Sequence, residues 1–182
     1  MSKLRCQRAG LVGAAGGLVW LAWAVALGLT GRESDAVLTV VALSTVALVV
    51  GHYAVESFYG ARMKRPGTAG AWLGAIGGVV FALGQGLRVA TGGGEIVVGL
   101  GVLAFVSGSL LVSVGLVRTR IQPPWLGVVL LVGTLLFLGF DISPWAAVPY
   151  GLAWVALGGD LYRYDPPDGR FGEASGDYGW LS

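Results

Sequence analysis

Six apolar stretches, near residues 10–30, 36–58, 69–90, 95–117, 124–141 and 144–161, fill most of this 182-residue chain, with short breaks of charge, proline or glycine between them. An apolar helix needs about 20 residues to cross a hydrocarbon core of about 30 Å, and inside lipid its backbone polar groups must pair within the segment itself. The pattern therefore predicts an all-α integral membrane bundle of six transmembrane helices. Composition agrees: 12% of residues are charged, against about 25% in soluble domains, and the mean hydropathy is +0.75.

The fifth stretch, "PWLGVVLLVGTLLFLGF", is short but uninterrupted; the sixth offers Ser143 as an N-cap, Pro144 at the first helical position and Pro149 as a source of bending. These two segments can cross separately or form a re-entrant hairpin, and charge favours two crossings. With the N-terminus cytoplasmic, the inside receives Lys3, Arg5, Arg8, Arg62, Lys64, Arg65, Arg118, Arg120, Arg163 and Arg170, and the outside only Arg32 and Arg88. Ten of the twelve basic residues then share one side, as the positive-inside rule requires. Tyr59, Trp72, Trp125, Tyr162 and Tyr164 fall at the inner helix ends, where aromatic side chains anchor at the interface, with Trp145 in that role outside. The expected organisation is a cytoplasmic N-terminal segment over 1–9, a transmembrane domain over 10–161 and a flexible cytoplasmic tail over 162–182. The basic start resembles a signal peptide, but its apolar run exceeds the usual hydrophobic region of about 7–15 residues, so it reads as a retained first span. Thirty-two glycines with few lysines resemble high-GC prokaryotic usage, which gives a prokaryotic cell membrane as the expected location.

Internal similarity points to hairpin units. "GAAGGLVW" at 13–20 aligns with "GAIGGVVF" at 74–81, and "WLG" at 125–127 echoes "WLG" at 72–74, the pattern of three two-helix repeats in parallel relation. Glycine adds a packing signal. Gly70, Gly77 and Gly84 in the third stretch, and Gly94, Gly101, Gly108 and Gly115 around the fourth, recur every seven residues. That period keeps one narrow face aligned, where two backbones can approach closely, so these helices are expected to pack together. Glycine abundance by itself is the plainer explanation of the same spacing.

Ionisable groups inside a bilayer are costly and mark function more often than not, so their depth guides the search for a site. Arg88, Glu95 and Asp141 lie at outer helix ends and form a candidate polar cluster, which as an arginine between two acids is also an ordinary fastening. Glu56 and Asp160 lie near the inner interface. Only His52 and Gln85 reach into the core, and no acid or base stands at the midplane, where a proton relay or pump needs one. His52 and Glu56, four residues apart on one helical face, could orient a general base or supply half a metal site with Asp160 as a third group. Against this, H-x-x-x-E is not a zinc-peptidase motif, the chain has one histidine, and Cys6 stands alone, so structural zinc, iron–sulfur and disulfide chemistry find no ligand set within one chain.

These features imply no cofactor and no bound metal. They also give no basic folded surface for nucleic acid. The partners expected are membrane lipids, together with a second copy of the chain or a larger membrane complex. Three functions remain on the sequence: a non-enzymatic accessory or interaction subunit acting through helix packing, a small transporter or channel with a lumen between protomers, and a lipid-directed enzyme using His52 and Glu56. The first draws on the glycine stripes and the empty midplane.

Overall fold

The computed structural model describes residues 3–31, 34–119, 124–139 and 144–163, and every element within them is an α-helix. They are α1 (Lys3–Thr30), α2 (Asp35–Thr91), α3 (Glu95–Thr119), α4 (Pro124–Gly139) and α5 (Pro144–Arg163). Ser34 caps α2, its side-chain oxygen accepting from Val37 N–H at 3.3 Å. Gly92 ends the same helix with φ at 71° and its N–H on Arg88 O. A left-handed residue with a Cβ costs about 1–2 kcal/mol, so Gly92→Ala should destabilise the protein by about 1 kcal/mol in thermal unfolding, with no change in what lies around it, because a Cβ there meets open space.

The break expected between the second and third apolar stretches differs in kind from the sequence reading. Residues 59–68 are helical, yet α2 doubles back on itself. In a straight helix His52 and Gly74 would lie about 33 Å apart, whereas a Cβ on Gly74 would run into the His52 imidazole and one on Gly78 would meet Val49 at 2.6 Å. The reversal sits within helical turns around Gly60 and Pro66. Proline withholds an N–H there, and Thr68 Oγ1 donates to Gly60 O at 3.0 Å across the turn. Arg62, Lys64 and Arg65 are good helix formers, which is why charge alone does not unwind this segment. The two arms of α2 are Asp35–Gly60 and Arg65–Thr91.

Six helical segments result, and each runs antiparallel to the next. Gly13 on α1 faces Gly51 on the first arm of α2, and Gly77 on the second arm faces Ala104 and Phe105 on α3. Gly127 on α4 abuts Val117 on α3, and Gly133 abuts Pro149 and Tyr150 on α5. The last segment returns to the first: Gly17 packs on Gly151 and Val155, and Gly10 packs on Leu161 and Tyr162. The segments therefore close into a ring. The start of α1 and the end of α5 share one end of the bundle, and the expected repeat of hairpins is neither required nor opposed by that closure.

Four stretches are long and apolar enough to cross a membrane by length and composition: Gln7–Thr30, both arms of α2, and Glu95–Arg118. The apolar part of α4, Trp125–Phe137, is shorter. The outside of the ring is greasy all round, with Leu18, Leu43, Ile76, Leu83, Leu103, Leu135 and Leu152 each more than half exposed. A continuous apolar exterior of this kind suits lipid, not water.

Candidate functional site

The ring has no open bore. Trp20 of α1 lies in its centre and meets a ring from each of four other segments: Phe81 at 6.3 Å, Phe105 at 6.1 Å, Phe137 at 6.2 Å and Tyr150 at 5.7 Å between centroids. Such contacts fall in the favourable range for tilted aromatic pairs. Together they form a plug.

On the side of the plug nearer the chain ends lies His52, wholly buried. Gly51 and Gly74 bring neighbouring backbones close enough that the imidazole is held between helices, with Trp154 at 4.5 Å and Phe105 at 5.2 Å between ring centres. Its Nδ1 lies 3.0 Å from Leu48 O and its Nε2 lies 3.2 Å from Ser109 Oγ. A carbonyl oxygen only accepts, so the ring proton sits on Nδ1, and a neutral ring then accepts at Nε2. Ser109 Oγ is also 2.8 Å from Tyr150 Oη and 3.1 Å from Phe105 O. One assignment satisfies the chain: Tyr150 donates to Ser109, His52 donates to Leu48, and the single Ser109 proton is shared between His52 Nε2 and Phe105 O. It begins and ends in the protein interior. A backbone carbonyl passes no proton on, so this is a fastening across three segments and not a wire to water.

Glu56 is not part of it. Both imidazole nitrogens are engaged elsewhere, and the Glu56 carboxylate lies along its own helix, 3.0 Å from where a Cβ on Gly60 would be. Asp160 is half-buried on α5 beside exposed Tyr162 and has its own interactions. Among the described residues, no three His, Cys, Asp or Glu side chains gather closely enough to hold a metal ion. The buried serine and threonine hydroxyls other than Ser109 are spent on their own helices: Ser44 and Thr45 donate to Val41 O, Ser113 to Ser109 O and Thr134 to Leu130 O, at 2.6–2.8 Å. A hydroxyl bonded back to the preceding turn gives its proton to its own helix and donates none to a lumen.

On the other side of the plug the ring opens into a cavity of about 810 Å³, walled by Trp20, Trp23, Phe81 and Phe137, with Gln85 in its wall and Arg88 and Glu95 at its rim. Arg88 and Glu95 thus face one space; Asp141, the third member of the cluster expected outside, lies beyond the described residues. The seven periodic glycines lie elsewhere, in the contact between the second arm of α2 and α3. Gly70, Gly77 and Gly84 face Gly108, Ala104 and Val98, while Gly101, Gly108 and Gly115 face Phe81, Gly74 and Gly67, and Gly94 packs on Leu87 with φ at 106°.

Sequence reasoning missed Ser109 and Tyr150 as the partners of His52, and it missed the cavity. A tyrosine nearly two turns inside an apolar helix was the available signal, since its hydroxyl needs a partner when buried. Compared with known proteins, the chain matches no family model, no curated protein and no solved structure.

Proposed function

We propose that this chain is a non-enzymatic multi-pass protein of the cytoplasmic membrane, crossing six times with both ends inside, and that it serves as an accessory or assembly subunit through its helix surfaces. One observation carries this reading: the deepest ionisable side chain, His52, is fully buried and spends both nitrogens on Leu48 and Ser109. A general base must reach the proton it abstracts. An imidazole sealed behind Trp154 and Phe105 reaches none, which weighs against a lipid-directed enzyme built on His52, Glu56 and Asp160. The aromatic plug weighs equally against conduction through this ring, leaving a transport lumen only between protomers.

Six crossings draw support from the antiparallel ring. With the α4–α5 pair packed between α3 and α1, both long and apolar enough to cross, the basic residues of the turns at Arg65, Arg118 and Arg163 gather at the end that carries the start of α1. The repeated register supports common hairpin units: Gly13 and Gly16 meet Gly51 and Leu48, as Gly74 and Gly77 meet Gly108 and Phe105. These pairs are related by offsets of 61 and 57 residues.

The test is purification from native membranes followed by native mass spectrometry, with the wild type beside His52→Gln, which keeps a donor and an acceptor. An accessory subunit carries a stoichiometric protein partner in both. Loss of cellular function in a folded His52→Gln protein that still holds its partner would overturn the reading in favour of chemistry.

A further inference from the structure

The cavity is more than leftover space, because side chains in its wall carry polar atoms that the protein leaves unmatched. Trp20 Nε1, Trp23 Nε1 and Gln85 Oε1 are sealed from solvent and make no hydrogen bond. Trp20 and Gln85 are 2% and 5% exposed. Buried polar groups are nearly always paired, and leaving one unpaired costs free energy. Two donors and one acceptor thus gather on cavity-wall side chains, with Trp154 Nε1, on the other side of the plug, the further unpaired atom among the described residues, whereas the buried serine and threonine hydroxyls described above are satisfied.

We propose that this cavity binds a membrane-soluble amphiphile with no net charge, whose apolar body lies against Trp20, Phe81 and Phe137 and whose hydroxyl or carboxamide group accepts from the indole N–H groups and donates to Gln85 Oε1. The terminal torsions of Gln and the ring torsion of Trp are broad, so a modest rotation turns each atom toward an occupant. The volume of about 810 Å³ falls within the range of about 300–1,000 Å³ for small-molecule sites, and an aromatic wall with few polar groups is their usual make-up. Charge selects the class. Among the described residues the rim holds one cation and one anion, Arg88 and Glu95, so neither sign of ligand is favoured by them. Access selects the source. Gly99 and Leu103, both on the cavity wall, are exposed, Leu103 by 60%, and Leu100 beside them is exposed as well, so the cavity is open along an apolar stretch of α3. The site goes beyond the accessory role and does not rest on it: a subunit without a protein partner can still hold this ligand.

The experiment uses the full chain in phosphatidylcholine nanodiscs, with Trp72, Trp125, Trp145 and Trp180 changed to Phe so that Trp20, Trp23 and buried Trp154 report. A dibromo-octadecanol is titrated in, since bromine quenches indoles at contact; a second arm replaces the bulk lipid by dibromo-phosphatidylcholine. Two variants accompany the wild type: Gln85→Leu, which removes the acceptor, and Gly99→Phe, which adds a ring at the cavity wall where a Cβ meets open space. Saturable quenching by the alcohol, at least tenfold weaker in both variants, is the expected result. Saturable quenching by the phosphatidylcholine arm alone, lost in the same variants, supports the site and assigns it to a bilayer lipid. Linear quenching, equal in all three proteins and both arms, would overturn the proposal, and Gln85→Leu against the wild type decides the matter alone if Gly99→Phe does not fold.

Discussion

Gly108→Ala should lower the unfolding midpoint sharply, and Gly108→Leu should give no monodisperse protein at all. A Cβ on Gly108 would run into the backbone N and Cα of Gly74 and come within 2.7 Å of Gly70 O. The obstacle is main chain on both sides. A side chain in the way can change rotamer, but two helix backbones can only move apart, and doing so here would separate the whole second arm of α2 from α3. Overpacking a core typically costs about 1–3 kcal/mol and more where nothing yields. About 3 kcal/mol or more is therefore expected for alanine, roughly 6–12 °C in a chain of this size. Gly99, on the same helix, is the control: a Cβ there meets nothing within 4 Å, and Gly→Ala in a helix interior gains about 0.5–1 kcal/mol. Thermal unfolding in detergent, followed by light scattering and helicity, reads both. Equal midpoints for Gly108→Ala and Gly99→Ala would mean the two helices are not in backbone contact. Helix propensity alone predicts that equality, so the gap between them measures packing.

The helical segments were legible because each is a local property: about 20 apolar residues in a row have no other way to satisfy their backbone in lipid. The glycine faces were legible for a related reason, since a seven-residue period on each helix survives without knowledge of the partner. Other features depended on contacts between segments far apart in sequence. Local spacing paired His52 with Glu56, four residues on, but the imidazole found Ser109, 57 residues away, because Gly51 and Gly74 let the neighbouring helices close in around it. The reversal within α2 was hidden because basic residues read as a loop, while their helix propensity keeps them helical. The cavity had no sequence signal at all. It exists where aromatic side chains from α1, the second arm of α2 and α4 meet without filling the end of the ring, and Gln85 was visible only as a polar residue with no evident task.

The closing link between His52, Ser109 and Tyr150 gives the second large expected effect, and magnitudes decide which part of it dominates. Hydrogen bonds between helices in membranes average about 0.6 kcal/mol, because the unpacked helices find other partners. Tyr150→Phe, which removes one donor and keeps the ring stacked on Phe137 with centroids at 5.9 Å, should therefore cost about 0.5–1.5 kcal/mol. His52→Ala removes a wholly buried ring packed on Trp154 and Phe105 and leaves a void, while the Ser109 hydroxyl keeps Phe105 O and Tyr150 as partners. Losing a buried ring of this kind costs about 3–5 kcal/mol, several times the hydrogen-bond share. If instead the polar chain were the dominant fastening, the two substitutions would cost about the same, and combining Tyr150→Phe with Ser109→Ala would be far from additive. A ratio near one in calibrated unfolding of the two single variants would place the strength of this junction in its hydrogen bonds. A ratio of about three or more places it in ring packing, with the polar chain fixing only which rotamers and register the six segments adopt as the ring closes.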